Sequence, residues 1–252
     1  MSDDRTTIDT AASLAHVPVL TTLAEKVDPG HTAVVVVDVQ NDFCAPGGMM
    51  DNEGFDLGSV QEMTTRLPNF LDAARREGAL VVFVRNVYSS EGNTYLSDVW
   101  LEQASRRRGK SYTEYAVCAE GSWQGDFFGS VRPLRGEPVI TKHRFSAFHN
   151  TDLDTVLRAH GIRTIVFAGV ATNVCVETTA REAFVRDYYV VLLDDGTACY
   201  SHAEHAATLS VIDRFFGQVA TIADVKSAWR ETRDVDGQPR GRARSRNVIE
   251  EA

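Results

Sequence analysis

The chain is short of the features that mark several protein classes. Four cysteines occur in 252 residues, at positions 44, 118, 175 and 199, and none stands at the CxxC or paired spacing of a zinc site or disulfide framework. That usage fits a reducing compartment. No apolar run approaches the roughly 20 residues that cross a bilayer. The first ten residues, MSDDRTTIDT, hold acidic side chains and no apolar stretch of signal-peptide length, so a cytoplasmic protein without a membrane partner is expected. Positive charge is also in deficit, with 26 Lys and Arg against 35 Asp and Glu and a formal net charge of −9. Such a balance repels phosphate backbones and anionic lipid, and nucleic acid is not an expected partner.

What is present points to an α/β protein. A hydrophobic content of 43% supplies a sizeable core for one main domain. The apolar runs at 32–37, 79–84, 162–168 and 189–193 are continuous rather than alternating, as in strands buried on both faces of a parallel sheet, and 137–141 is a weaker candidate. Between them the punctuation predicts helices at 59–77, stopped by Gly78; at 152–160, capped by Thr151 and ended by Gly161; near 174–187; and at 202–216. Pro68 is expected to kink or divide the first. The alternation predicts a three-layer, open, doubly wound parallel sheet. Residues 1–30 read as an N-terminal arm and 31–229 as the domain. Residues 89–125, with Tyr95, Trp100, Tyr112, Tyr115 and Trp123, read as a lid or interface insertion. Residues 230–252, with six arginines between 230 and 246, read as a flexible charged tail.

Three residues carry candidate chemistry. Cys175 follows the strand ending near Ala168 and opens a helix, where unpaired backbone N–H groups and the helix dipole lower a thiol's pKa and can hold an oxyanion. The plain alternative is a small buried cysteine. Asp38 closes the strand VVVVD, at the sheet edge where ligands bind in open α/β folds, although Asp after a strand also caps helices. Lys142 follows the strand PVIT and would reach the same edge, unless it is a solvated charge. Together an acid, an ammonium and a thiol make a workable hydrolytic set.

The strings VVVVDVQNDFCAPGG, ITKHRFSAFHNTDL and FAGVATNVCVETTAREAF, in that order, resemble the isochorismatase-like cysteine hydrolases, over about His31 to Trp229. The resemblance implies Asp38 as general acid/base, Lys142 as electrostatic partner and Cys175 as nucleophile. It also implies a cis peptide between Val170 and Ala171 that aims the N–H groups of Ala171 and Cys175 at the oxyanion. Nicotinamidases of this superfamily carry a metal-binding DxH pair and a further histidine after the second strand. Here that region reads FVRNVYSSEGNTY, without histidine, so neither a metal nor another cofactor is expected. Within the family, PGG, MDNEGFDL, GSW at 121–123, HRFSAFHNTDLD and GIRTIVFAGVATNVCVE are similar to the ureidoacrylate amidohydrolases of pyrimidine breakdown. Biuret, triuret and N-carbamoyl amino acid hydrolases share much of the pattern. One departure is Phe145, where those enzymes are expected to carry tyrosine.

The expected activity is therefore hydrolysis of a C–N bond in a small ureido or carbamoyl amide, with a catalytically idle scaffold as the alternative of another class. Candidate substrate contacts are Asn86 and Tyr88 beyond the second strand, Arg85 and Arg144 for a carboxylate, and Phe43, Phe145 and Trp123 as pocket walls. Asn86 could equally be a turn former, either arginine structural, and the aromatics plain core. His143 and His149 are not needed as partners of the thiol. Relatives of this kind are usually dimers or tetramers, so a homo-oligomer is expected.

Overall fold

A computed structural model of the chain describes residues 18–108 and 116–234. A short lead-in, α1 (Leu23–Lys26), opens with a capping box: the Thr22 hydroxyl accepts from the Glu25 N–H, and the Glu25 carboxylate accepts from the Thr22 N–H. A 3-10 turn over Pro29–His31 then feeds β1 (Thr32–Val37). There follow α2 (Asn41–Cys44), α3 (Met49–Asn52), α4 (Gly58–Glu77), β2 (Leu80–Asn86) and α5 (Asp98–Arg108). Next come β3 (Val139–Lys142), α6 (Leu153–Ala159) and β4 (Thr164–Val170), then a π turn over Thr172–Val176 that runs into α7 (Glu177–Val185). The chain continues through β5 (Tyr189–Ala198), α8 (His202–Phe215), β6 (Gln218–Ala220) and α9 (Ile222–Asp234).

All six strands are parallel, in the order β3-β2-β1-β4-β5-β6. The chain winds outward from β1 to β3, then returns to the other side of β1 with β4. That reversal opens a crevice between the carboxyl ends of β1 and β4, where ligands bind in doubly wound sheets. Because side chains alternate along a strand, each central strand feeds two cores. Val34, Val36, Val81, Phe83, Val166 and Ala168 pack with Met63, Leu67 and Phe70 of α4 and Val225 and Trp229 of α9. Ala33, Val35, Val37, Val82, Val84, Ile165 and Phe167 pack on the other face with Leu153 and Leu157 of α6, Ala180 and Ala183 of α7, and Ile212 of α8. Burial on both faces is why the strand runs are continuously apolar.

Several sequence expectations are corrected. Pro68 does not divide α4, which continues through it for 20 residues; a helix-interior proline costs about 3 kcal/mol, and the buried neighbours Leu67, Phe70 and Leu71 hold the helix across the gap. α6 starts at Leu153, with Asp152 at the cap position and no side-chain cap bond from it, while the Thr151 hydroxyl accepts from the Leu153 N–H at 3.3 Å. β6 was not expected, being three residues long. α9 carries Arg230–Asp234 in helix, beyond the boundary placed at 229, because Val225, Ala228 and Trp229 bury one face of it. The segment after Ser89 contains a helix, α5, while Tyr112 and Tyr115 lie outside the described residues, as do 1–17 of the arm and 235–252 of the tail. Among the described residues no helix is long and apolar enough to cross a membrane.

Candidate active site

The carboxyl ends of four adjacent strands supply the chemistry. Asp38 directly follows β1, with its N–H still on the Val84 carbonyl at 3.0 Å. Its φ of +52° turns the chain out of the sheet with the carboxylate buried. Opposite, Gly169 of β4 adopts φ +109°, and a Cβ there would meet the Val37 carbonyl oxygen at 2.1 Å. Only glycine lets β4 pass β1 so closely while the chain turns towards Cys175.

Asn86 and Lys142 end β2 and β3 in register with each other. Lys142 is fully buried. Its ammonium lies 2.8 Å from Asp38 Oδ2, and it donates to Cys175 Sγ at 3.3 Å and to the Arg144 carbonyl at 3.1 Å. Asn86 Nδ2 donates to Asp38 Oδ2 at 3.2 Å and to the Tyr88 hydroxyl oxygen at 2.9 Å, and stands 3.9 Å from Cys175 Sγ. Three side chains drawn from positions 38, 142 and 175 thus share one buried cluster, with Asn86 as a fourth member. Among the described residues, Asp38 Oδ1 and Asn86 Oδ1 are buried without a hydrogen-bond partner.

Cys175 sits inside the π turn, whose wider coil often marks functional positions. The peptide bond Val170–Ala171 is cis. Thr179 of α7 fixes the turn from the protein interior: its hydroxyl donates to the Cys175 carbonyl at 2.6 Å and accepts from the Ala147 N–H at 3.1 Å. One threonine so couples the segment after Lys142 to the segment bearing the thiol.

Removal from water governs the charges here. Burial lifts the Asp38 carboxyl above its ordinary value, against the pull of Lys142. Burial opposes the Lys142 ammonium, yet Asp38 and Cys175 outweigh it, and the lysine stands above its ordinary value. The Cys175 thiol is pushed up to about 12 by burial, with Lys142 lowering it and Asp38 raising it further. The sequence expectation of a thiol lowered by a helix start is therefore corrected: desolvation and the neighbouring carboxylate exceed the help of one ammonium. Burial thus favours the thiol over the thiolate and raises the basicity of the carboxylate beside it, which can take its proton.

A small cavity of about 40 Å³ lies against Cys175 and Asp38. Phe43, Tyr88 and Phe145 line it, as do Val170 and Ala171. Met50, Val174 and Tyr200 also line it and were not singled out in the sequence; no local signal marks them, since they arrive from three separate segments, α3, the π turn and the connection after β5. Trp100 of α5 backs the wall, its ring centroid 4.7 Å from that of Phe145 and 5.4 Å from that of Tyr88. Four expected contacts lie outside the cavity lining, Asn86 being fully buried in the polar cluster behind it. Trp123 is 52% exposed and outside the cavity lining. Arg144 is spent on the carbonyls of Tyr95 and His143, with its guanidinium over Trp100. Arg85 donates to the Thr141 hydroxyl oxygen, away from the cavity. His143 stacks on Tyr95 at 3.6 Å, and its Nδ1 bonds the Val87 carbonyl.

The triplet after Val39 was also passed over. Gln40 exchanges hydrogen bonds with the Asn86 backbone at 2.7 and 2.9 Å and donates to the Gly125 carbonyl. The Asn41 amide holds the Trp123 carbonyl, and the Asp42 carboxylate accepts from the N–H groups of Met49 and Cys118. These polar side chains, all buried, tie the 116–127 segment to the strand ends. Among the described residues no three His, Cys, Asp or Glu side chains come together so as to hold a metal ion.

Comparison with known proteins agrees with this geometry. The family model described as Isochorismatase domain matches residues 32–224. The ureidoacrylate amidohydrolase of Caulobacter vibrioides is 37% identical over 210 residues, covering 81% of this chain and 93% of that protein; that of Azorhizobium caulinodans is 36% identical, covering 79% and 91%. Among solved structures, a cysteine hydrolase from Pseudomonas syringae pv. phaseolicola superposes with a TM-score of 0.69 at 29% identity, over 82% of this chain and 95% of that one. The N-carbamoylsarcosine amidase of Thermoplasma acidophilum superposes with a TM-score of 0.59 at 25% identity, over 76% and 96%. With the fold, the strand-end cluster and these relatives in agreement, the chain belongs to the isochorismatase family.

Proposed function

We propose that the protein is a cysteine-dependent amidohydrolase that cleaves a C–N bond of a small linear ureido or carbamoyl amide of the ureidoacrylate type. The observation that carries this reading is the buried contact of Lys142 with both Asp38 Oδ2 and Cys175 Sγ. In the reaction, Asp38 takes the Cys175 thiol proton as the sulfur attacks the carbonyl carbon, and the N–H groups of Ala171 and Cys175 receive the oxyanion. Lys142 holds the sulfur and the carboxylate in place. Asp38 returns the proton to the departing nitrogen, leaving a thiocarbamate or thioester. Water, deprotonated by Asp38, then attacks that carbonyl, and the proton passes back to sulfur.

The ureidoacrylate class is favoured by the names and the 37% identity of the curated relatives. The N-carbamoyl amide class is the second reading, favoured by the amidase of Thermoplasma acidophilum among the structural relatives. Ammonia release from ureidoacrylate, biuret, triuret, N-carbamoyl amino acids and nicotinamide tests the two directly. Ureidoacrylate is expected to show the highest kcat/KM, and a panel without turnover would sink the proposal. Cys175→Ser is expected to lower kcat by at least about a hundredfold and leave binding near wild type by calorimetry; wild-type turnover in that variant would remove the nucleophile.

A further inference from the structure

A second hydrogen-bonded line, besides that of Thr179, reaches the π turn. Thr172, the first residue of the turn, is fully buried, and its hydroxyl lies 2.9 Å from His205 Nδ1. The other ring nitrogen, Nε2, lies 3.1 Å from Asp194 Oδ1. A carboxylate only accepts, so Nε2 carries the hydrogen, and in the neutral ring Nδ1 accepts from the Thr172 hydroxyl. Asp194 reaches His205 because β5 bulges: the β4 pairing passes from Phe167↔Leu192 to Gly169↔Thr197, which pushes extra β5 residues out of the ladder.

Two further bonds come from the same face of α8. Glu204 Oε2 accepts from the Asn173 side-chain amide at 2.8 Å, and the Thr208 hydroxyl donates to Glu177 Oε2 at 2.6 Å. The helix so clamps residues 172, 173 and 177 around Cys175. His205 and Asp194 line a separate cleft with Glu62 and Arg66 of α4 and do not line the cavity beside the thiol.

We propose that His205, oriented by Asp194, is a positioning residue for hydrolysis. Through Thr172 it sets the backbone of residues 171–175, which carries both the attacking sulfur and the N–H groups that receive the oxyanion. The inference rests on the reading of Cys175 as nucleophile. Its effect falls on the chemical step, because misplacing reacting groups by about 1 Å can cost on the order of a hundredfold, while the cavity walls supplied by Phe43, Met50, Tyr88 and Phe145 lie outside the turn.

The experiment has two arms. In the first, wild type is labelled with 15N-histidine, and the His205 ring is expected to show an unprotonated Nδ1 and a protonated Nε2, with the Nδ1 signal moving in Thr172→Val. The opposite tautomer, or a ring indifferent to Thr172→Val, overturns the proposal. This arm needs no substrate and reads the Asp194–His205–Thr172 line alone, so a failure here overturns this inference and leaves the proposed function intact, whereas a panel without turnover sinks the proposed function first. In the second arm, kcat is counted per folded molecule, taken from the melting curve. His205→Ala is expected to lower kcat by on the order of ten- to a hundredfold with KM within about threefold. His205→Asn, whose amide oxygen sits near the Nδ1 position, is expected to restore much of the loss. His205→Gln, which keeps the Asp194 bond alone, is not. Thr172→Val is expected to match His205→Ala, and the double variant to be no worse than either. Wild-type kcat in His205→Ala, equal rescue by Asn and Gln, or additive losses in the double variant overturn it.

Discussion

Cys175 stands 3.3 Å from an ammonium, yet its thiol lies near 12, because a thiolate gains less from Lys142 than it loses in leaving water beside Asp38. This direction favours making the nucleophile by proton transfer during attack over storing it as thiolate. Two outcomes follow at this scale. Asp38→Asn removes both the proton acceptor and a negative charge that raises the thiol. Turnover is expected to fall by on the order of 10²–10⁴ while the Cys175 alkylation rate at a given pH rises; iodoacetamide labelling across pH reads the second effect, and an unchanged or higher thiol titration would contradict the charge balance described here. The pH profile of kcat/KM gives the other outcome. A protonated Asp38 cannot take the thiol proton, so activity is lost as pH falls through its pKa. Because burial raises that pKa, the acid limb is expected above the ordinary carboxylate range of about 4. A limb at or below that range would place the base elsewhere. Asp38, Lys142 and Cys175 were legible as strand-end and turn residues, but their protonation was not, since burial is a property of the folded surroundings.

At the scale of elements, the site depends on where strands stop. Asn86 pairs with Lys142 across β2 and β3, which is why a lysine after one strand and an asparagine at the end of another meet the same carboxylate. Gly169 sets the closeness of β4 to β1. Gly169→Ala is expected to destabilise the fold by more than about 2 kcal/mol, since a Cβ would overlap the Val37 backbone and φ +109° is foreign to L side chains. Denaturant unfolding measures it, and a shift below about 0.5 kcal/mol would show that the strands can part freely. Long apolar strands and helices punctuated by glycine were readable in the sequence. The π turn and β6 were not, because the first depends on Thr172, Thr179 and their partners in other elements, and the second is a three-residue strand extended only by pairing with β5.

Across the whole molecule, the core on one face of the sheet is closed by residues far apart in the chain. Trp229 is 1% exposed, stacks on Phe70 of α4 at 5.5 Å, and donates its indole N–H to the Val27 carbonyl at 2.7 Å. It joins the lead-in, α4 and α9 over the face of the sheet opposite α7 and α8. Trp229→Ala is expected to cost about 3–5 kcal/mol with a large fall in Tm, while any folded fraction keeps its specific activity because the site lies at the strand ends. A loss of kcat without loss of stability would mean that this face reaches the site. The sequence by itself determined a parallel α/β fold, since continuous apolar strands alternating with helices are buried on both faces of a parallel sheet, and it determined which acid, ammonium and thiol stand at segment ends. Only the tertiary structure decided which arginines are consumed by backbone carbonyls, which aromatics wall the cavity, how far burial lifts the thiol, and that His205 reaches Thr172. Those outcomes depend on distances between elements remote in the chain, and local propensity carries no information about such distances.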